Sequence, residues 1–244
     1  MAWLQYWPGR RDGIVSGRPH RPEQPGLAPG LALIFDMDGV LIDSNPVHRE
    51  AWEIYNRRFG LETTEAMHES MYGRRNDEIV RNFFGELPPG EAFSRGAEKE
   101  KLYRELMSGR IESCLVPGLR KFLETYRDTP MAVASNGERE NVALILDASG
   151  LRGYFRVTLD GLQVQNPKPH PEIYLRAAKG LGVPPSNCIV LEDSHSGVAA
   201  ARGAGMRVIG LRTTHGYLPG TDLNVDNFMS GDLTKWLAAQ TCAV

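Results

Sequence analysis

The sequence predicts an α/β fold in which a doubly wound parallel sheet carries an inserted all-helical domain. Short apolar runs that suit strands buried on both faces recur at 31–35, 131–134, 188–191 and 208–211. Stretches with helical pattern lie between these runs, and strands that alternate with helices are typical of a parallel sheet. One long section, 46–115, has helical pattern only and indicates the insertion.

The first strand is predicted at Leu31-Ala32-Leu33-Ile34-Phe35, and it breaks off at Asp36-Met37-Asp38-Gly39. After this turn the chain shows helical pattern at 47–59, 76–84 and 91–107, without a good strand signal. A helical insertion explains this section better than a continuation of the sheet.

Proline breakers bracket the insertion, with Pro46 on one side and Pro117-Gly118 on the other. We therefore predict an α/β core of residues 31–45 and 116–244 and a helical cap domain of residues 46–115. The two hinges are expected at Ser44-Asn45-Pro46 and Leu115-Val116-Pro117.

The alternation returns in the second half of the chain. Helical pattern at 140–149 follows the second apolar run, and the helical stretch 171–181 begins with Pro171, which suits a first helical turn. The runs at 188–191 and 208–211 then supply two more buried strands.

Composition narrows the classes of function. The chain of 244 residues is 41% hydrophobic with a net charge of -2, so it is globular and lacks the basic excess of a nucleic-acid-binding protein. No apolar run reaches membrane-spanning length. The three cysteines form no C-x-x-C pair, and the expected location is the reducing cytoplasm. Residues 1–30 are rich in Pro and Gly, so a flexible extension is predicted there. The expected oligomeric state is a monomer or weak dimer.

Polar side chains follow the apolar runs at the place where ligands bind to a parallel sheet, outside the carboxyl ends of its strands. These residues are Asp36 and Asp38 after the first run, Ser135 and Asn136 after the second, Glu192 and Asp193 after the third, and Lys168 in a loop just ahead of a helix. Four carboxylates and one lysine would leave about three uncompensated negative charges. A hard divalent cation such as Mg²⁺ is the natural compensation, and the site could then bind a phosphate dianion.

Each of these features taken alone also fits a structural role. Ser135-Asn136 could cap a helix, Lys168 could lie on the surface, and Glu192-Asp193 could favour a helix N-terminus. Their joint occurrence, in order and each after the right kind of segment, favours a functional site.

The stretch from Asp36 to Ser44, DMDGVLIDS, resembles the first signature of the haloacid dehalogenase superfamily. Ser135, Lys168 and the pair Glu192-Asp193 resemble its second, third and fourth signatures, so the resemblance covers the chain from Leu31 to its C-terminus. The helical section resembles the cap of the subgroup that holds β-phosphoglucomutase and many sugar-phosphate phosphatases.

The resemblance implies an Mg²⁺-dependent phosphatase. Asp36 would attack phosphorus, and Asp38 would act as acid and then base. The metal would be held by the Asp36 carboxylate, the Asp38 backbone carbonyl and Asp193, with Glu192 holding a metal-bound water. Lys168 and Ser135 would neutralise the phosphoryl oxygens, and Gly39 and Asn136 are expected substrate contacts.

In the cap, His48 and Trp52 are four residues apart and therefore share a helix face. Both match substrate-lining positions of the mutase-like subgroup, although packing alone would also explain Trp52. The segment Tyr72 to Asn76 resembles a cap loop that grips a distal phosphate; Asn76 is the aligned residue and Arg75 lies one place earlier. Lys101 matches a further substrate-facing lysine.

The loop Ser135-Asn136-Gly137-Glu138-Arg139 lacks the second serine and the lysine of the mutases. A mutase must hold a bisphosphate while it reorients, so hydrolysis of a small phosphate ester is the preferred prediction. The alternative is a β-phosphoglucomutase-type isomerase, for which Arg75, Lys101 and Arg139 could form another phosphate grip. A non-enzymatic metal-binding scaffold and a nucleic-acid-binding module are the weaker hypotheses.

Overall fold

A computed structural model of the chain describes residues 27–72 and 74–242. Most of the extension predicted at 1–30, up to residue 26, lies outside the described residues. Within the described ranges, no helix has both the length and the apolar character that crossing a membrane requires.

Six parallel strands form one sheet, and their order is β3-β2-β1-β4-β5-β6. The strands are β1 (Ala32–Phe35), β2 (Met131–Ala134), β3 (Val157–Leu159), β4 (Cys188–Glu192), β5 (Arg207–Leu211) and β6 (Leu223–Val225). The order reverses between β1 and β4, and a crevice at such a switch point is where doubly wound sheets bind ligands. The predicted fold class is confirmed.

Between β1 and the Pro117-Gly118 breaker the chain forms α1 (Asn45–Arg57), α2 (Glu65–Met71), α3 (Asn76–Phe84), α4 (Glu91–Met107) and α5 (Ile111–Cys114). The other helices of the described chain are α6 (Leu119–Thr125), α7 (Arg139–Ala148), α8 (Glu172–Leu181), α9 (His195–Gly203) and α10 (Gly231–Ala238). The helices predicted at 76–84 and 91–107 match α3 and α4. Strands β3 and β6 and helices α2, α5, α6, α9 and α10 were not predicted.

The central strand β1 is buried on both faces, which explains its continuous apolar sequence. Leu33 and Phe35 point into one hydrophobic cluster, and Ala32 and Ile34 point into a second cluster on the opposite face. The cap has a smaller cluster of its own, built around Trp52 and other apolar side chains of α1 to α4. The sheet is therefore a rigid platform for the loops at its carboxyl edge.

The two connections between the cap helices and the sheet run side by side. The Asp43 N–H donates to the Cys114 carbonyl at 2.7 Å, and the Val116 N–H donates to the Leu41 carbonyl at 3.1 Å. Between these bonds, Ile42 and Leu115 form an antiparallel bridge. The chain thus leaves the core and returns to it at one place.

Candidate active site

Residues that are far apart in the sequence meet around one cavity at the carboxyl edge of the sheet. The core lines it with Asp36, Asp38, Ser135, Asn136, Gly137, Asn141, Lys168, Asp193 and Ser194, the predicted hinge with Asn45, and the cap with His48, Trp52, Met71, Tyr72, Arg74, Asn76, Ile79, Lys99 and Glu100.

Lys168 joins two carboxylates at the bottom of the cavity. Its Nζ donates to Asp36 Oδ1 at 2.5 Å and to Glu192 Oε1 at 2.7 Å, and only 3% of the residue is exposed. The Tyr174 hydroxyl donates to the same Glu192 oxygen at 2.7 Å. Lys168 is thereby fixed with its charge against Asp36, the residue at the end of β1.

The ionisation of these groups follows from burial and from their neighbours. Burial, with Glu192 and Asp38 nearby, raises the pKa of Asp36 to about 7 even though Lys168 opposes the shift. Burial would also raise the pKa of Glu192, but Lys168 and the hydrogen bonds to the carboxylate outweigh it and lower that pKa. Lys168 stays protonated because Asp36 and Glu192 raise its pKa against the effect of burial.

Glu192 is held from its other side by the start of α9. Its Oε2 accepts from the Asp193 N–H at 2.9 Å, and from the N–H and hydroxyl of Ser194 at 3.0 Å each. A Cβ at position 197 would lie only 1.6 Å from Oε1, so Gly197 makes room for the carboxylate. Glu192 therefore has donors on both oxygens and positions Lys168.

Asp193 lies against the turn that follows β1. Gly39 has φ +74°, and a Cβ there would lie 1.8 Å from Asp193 Oδ2, so only glycine allows this approach. Burial, Glu192 and Asp36 raise the pKa of Asp193 well above its usual range. Asp36, Glu192 and Asp193 each offer a carboxylate oxygen, and these oxygens lie within 4.8 Å of one another. This crowding of like charges suits a hard divalent cation.

Asp38 faces the cavity and is tied to the base of the cap. It accepts a hydrogen bond from the Ser44 hydroxyl at 2.5 Å, and His48 Nε2 lies 3.5 Å from the same oxygen. The first turn of α1 thus sets the direction of this carboxylate. A carboxyl group held this way beside Asp36 is placed for proton transfer.

The loop after β2 supplies the opposite wall. The Gly137 N–H donates to Ser135 Oγ at 2.9 Å, and the Lys168 N–H donates to Asn136 Oδ1 at 3.2 Å. The loop is therefore fixed both to itself and to the Lys168 segment.

On the cap side, the face of the His48 ring contacts an aromatic ring, and one of its ring nitrogens contacts a lysine. Its ring stacks on Tyr103 with centroids 3.8 Å apart, and Nδ1 lies 2.9 Å from Lys99 Nζ. Lys99 is 1% exposed and lies over the Trp52 ring at 4.9 Å. The cap therefore brings a buried cation into the cavity.

Glu100 connects the cap to the core. It accepts from Lys99 and from Asn76 at 2.7 Å each and, from the side of the sheet, from Asn141 of α7 at 2.5 Å. Although burial opposes it, Lys99 and His48 hold the pKa of Glu100 at about 2. The carboxylate is therefore ionised, and its charge is matched by donors from both sides.

A model of the haloacid dehalogenase-like hydrolase family matches residues 31–205, which is well over half of the chain. The chain belongs to this family. The match begins at the first predicted strand and includes all four predicted signatures.

Relatives within the haloacid dehalogenase-like hydrolases agree with this assignment. A phosphorylated carbohydrates phosphatase of Thermotoga maritima is 35% identical over 73% of this chain and 83% of its own. The fructose-1-phosphate phosphatase YqaB of Escherichia coli is 33% identical over 74% of this chain and 95% of its own. The predicted enzyme class, a phosphomonoesterase of this family, is confirmed.

A solved structure of β-phosphoglucomutase from Clostridium difficile has the same fold. It superposes with a TM-score of 0.76 at 27% identity and covers 85% of this chain and 96% of its own. The predicted resemblance to the mutase-like haloacid dehalogenases is confirmed.

Three predicted substrate contacts do not line the cavity, whereas His48, Trp52 and Asn136 do. Gly39 packs against the Asp193 carboxylate instead. Arg75 pairs with Asp77 at 3.2 Å and lines a neighbouring cleft, while Asn76 reaches the cavity. Lys101 is exposed. Residues two apart on a helix point in nearly opposite directions, so Lys99 occupies the cavity position that was predicted for Lys101.

Several residues around this haloacid dehalogenase cavity were not predicted from the sequence. Lys99, Glu100, Asn141 and Tyr174 are buried polar residues on helices, and Thr214 lies in a loop. The helical spacing of α4 could have indicated its two residues, because it places their charged side chains on the face of an amphipathic helix that points inward. No sequence pattern singled out Thr214.

Proposed function

We propose that the protein is an Mg²⁺-dependent phosphatase that hydrolyses a small phosphorylated sugar through an aspartyl-phosphate intermediate on Asp36. The observation that carries this proposal is the placement of Asp36. Asp36 directly follows the central strand β1. Its carboxylate contacts the buried ammonium of Lys168 and faces the same cavity as Asp38. A nucleophile, a neutralising cation and an acid–base group are thus in one place.

In the first step, an Asp36 carboxylate oxygen attacks the phosphorus and the bond to the sugar oxygen breaks. The carboxyl group of Asp38 donates its proton to the leaving oxygen, and the sugar departs as an alcohol. Lys168 offsets the negative charge of the phosphoryl oxygens, and the Ser135 hydroxyl faces the same space.

In the second step, water attacks the phosphorus and the bond to the Asp36 oxygen breaks. The carboxylate of Asp38 now accepts the proton of the water, so that inorganic phosphate and the starting enzyme result. The contacts of Ser44 and His48 hold Asp38 near the reacting atoms in both steps.

The carboxylates of Asp36 and Asp193 and the backbone carbonyl of Asp38 would hold Mg²⁺, with Glu192 beside them. The crowding of the Asp36, Glu192 and Asp193 oxygens supports this assignment. When bound, the ion supplies positive charge that polarises the phosphoryl group and offsets the carboxylates.

The polar lining of the cap side supports a hydroxylated leaving group. Asn76, Glu100 and Asn141 line the cavity with amide and carboxylate groups that can bind hydroxyls. The relatives named as phosphatases of fructose 1-phosphate and of phosphorylated carbohydrates point to the same substrate class. We propose that residues 46–115 form the cap that closes over this substrate.

A β-phosphoglucomutase-type isomerase is the second candidate, because the fold matches a solved β-phosphoglucomutase. Retention of a bisphosphate would need a free cation at the far end of the cavity. Lys99 is matched by Glu100, and Arg139 pairs with Asp160 at 3.2 Å. Arg74 lines the cavity but is exposed. The pairings of Lys99 and Arg139 favour hydrolysis, and Arg74 is the residue that would have to hold the second phosphate of a mutase.

The test is phosphate release from a panel of sugar phosphates, with and without Mg²⁺, by the wild type, Asp36→Asn and the control Asp43→Asn. Asp43 is an exposed carboxylate near the same turn. We expect Mg²⁺-dependent release that is lost only in Asp36→Asn. Glucose 6-phosphate formed from β-glucose 1-phosphate faster than phosphate is released would favour the isomerase. Full activity of Asp36→Asn would contradict the aspartyl-phosphate.

A further inference from the structure

The connection between β5 and β6 touches the candidate metal site and the cap hinge at once. The Thr214 hydroxyl donates a hydrogen bond to Asp193 Oδ2, and Asn45 Nδ2 donates to Thr214 Oγ1 at 2.5 Å. The neighbouring Thr213 hydroxyl donates to the Gly39 carbonyl at 2.6 Å. Two consecutive threonines thus hold the turn after β1 and the carboxylate that lies on it.

The direction of this chain of hydrogen bonds is fixed by its members. An amide NH₂ group can only donate, and a carboxylate that bound Mg²⁺ keeps ionised can only accept. The Thr214 hydroxyl must therefore accept from Asn45 and aim its single proton at Asp193. Its orientation, and with it the orientation of the carboxylate, depends on where the Asn45 side chain lies.

Asn45 is the first residue of α1 and belongs to the hinge predicted at Ser44-Asn45-Pro46. A rotation of the cap about this hinge would move the Asn45 amide relative to the sheet. Thr214 and Asp193, in contrast, follow β5 and β4 and stay with the sheet. The hydrogen bond from Asn45 to Thr214 is thus a contact between the moving part and the fixed part.

We infer that Thr214 is a positioning residue that couples the orientation of the cap to the affinity of Asp193 for Mg²⁺. The inference rests on the proposed function, because it takes Asp193 as a metal ligand. Groups that orient a ligand from behind commonly change metal affinity by roughly 10–100-fold. Coupling between two sites is reciprocal, so bound Mg²⁺ should in turn favour the cap orientation in which Asn45 reaches Thr214.

The first test is calorimetric titration of Mg²⁺ into the substrate-free protein. We expect Thr214→Val, which keeps the shape and removes the hydroxyl, to raise the Kd for Mg²⁺ by roughly 10-fold or more. Thr214→Ser should restore it to within about 2-fold of the wild type. Thr221→Val is the matched control, because Thr221 lies in the same connection and bonds to Leu218 and Asn224 instead.

The second test asks whether the effect passes through the hinge. Asn45→Ala should raise the Kd for Mg²⁺, and Asn45→Ala combined with Thr214→Val should bind no more weakly than Thr214→Val alone. Hydrogen exchange of the first turn of α1 should slow when Mg²⁺ is added to the wild type and should not respond in either single variant. Additive effects of the two substitutions would contradict the coupling.

An unchanged Kd in Thr214→Val, with wild-type binding intact, would overturn the inference and leave the phosphatase proposal standing. Absence of Mg²⁺ binding by the wild type itself would instead contradict the metal assignment. If Thr214→Val proves unfolded by circular dichroism, Thr214→Ser and Asn45→Ala still decide. The wild-type Kd in Asn45→Ala would then be the contradicting result.

Discussion

At the scale of single residues, Lys168 forms ion pairs with two buried carboxylates. Both of its partners lie within 2.7 Å, and neither Asp36 nor Glu192 is well exposed to water. The arrangement is stable only while the ammonium is present, because a buried charge without a partner costs several kcal/mol. The same ammonium is the nearest cation to the proposed nucleophile.

We expect Lys168→Ala to lower kcat by roughly 10²–10³-fold, the usual cost of removing one group that stabilises transition-state charge. Phosphate release at saturating substrate is the measurement. Lys235→Ala is the control, since Lys235 is exposed and forms only a surface pair with Asp232. A kcat within a few-fold of the wild type would remove Lys168 from the chemistry.

The raised pKa of Asp36 has a consequence for the stability of the metal-free protein. Folding raises this pKa from 3.8 to about 7, so the folded protein binds a proton that the unfolded chain releases. This group therefore adds stability as the pH falls from about 7 toward about 4. We expect the Tm of the metal-free wild type, relative to Asp36→Asn, to rise across that window. Parallel Tm curves for the two proteins would contradict the shift.

At the scale of elements, the turn after β1 is the most constrained segment. Gly39 has a left-handed conformation and also the close contact with Asp193. Gly60 has a similar φ of +69°, but a Cβ there would meet nothing within 4 Å. Substitutions at the two glycines therefore separate the free-energy cost of the left-handed conformation from the cost of the contact with Asp193.

We expect Gly60→Ala to lower the free energy of unfolding by about 1–2 kcal/mol, the cost of a left-handed alanine. Gly39→Ala should cost more and should also abolish the response of activity to Mg²⁺, because Asp193 must move. Urea unfolding and Mg²⁺ titration of activity are the measurements. Equal losses of stability with an intact Mg²⁺ response would show that the contact is unimportant.

The predictability of each element follows from its burial. β1, β2 and β4 are buried along their whole length and β5 at all but its first residue, so their apolar runs were visible in the sequence. β3 and β6 are three-residue edge strands that are only partly buried, and hydrophobic pattern cannot reveal them. Helix α2 has only seven residues, which is too short for a helical period to stand out.

At the scale of the whole molecule, the cap and core meet through buried polar groups at the rim of the cavity. Glu100 of α4 accepts from the side-chain amide of Asn141 of α7, and Arg104 donates to Asn141 Oδ1 at 2.8 Å. Hydrogen bonds to charged groups contribute roughly 1.5–3 kcal/mol each. The pair therefore stabilises the contact between α4 and α7.

We expect Asn141→Ala to raise KM by roughly 10-fold, since about 1.4 kcal/mol corresponds to that factor, while kcat changes less. Closure is weakened, but the reacting groups of the core stay in place. Asn82→Ala is the control, because Asn82 bonds to Ser70 within the cap. Steady-state kinetics on the best sugar phosphate is the measurement, and an unchanged KM would mean that this contact does not govern closure.

The predictability of the site has a limit at this scale as well. Asp36, Asp38, Lys168 and Asp193 could be placed because each follows or precedes a recognisable element. Contacts between segments that are far apart in sequence could not, such as the bond between Asn45 and Thr214, 169 positions apart. Such contacts depend on how the cap sits on the sheet, which local pattern does not specify.

The bridged connections on either side of Ile42 and Leu115 make the cap a module. Because the outgoing and returning chains are neighbours, the sheet can accommodate inserted segments of different length and shape between them. Evolution can exchange one cap for another at this junction without disturbing the sheet, as insertions succeed where chain ends lie close together. Replacement of the cap can thus change the substrate while the sheet is kept, provided that the new insertion again makes the contacts of Ser44 and His48 to Asp38.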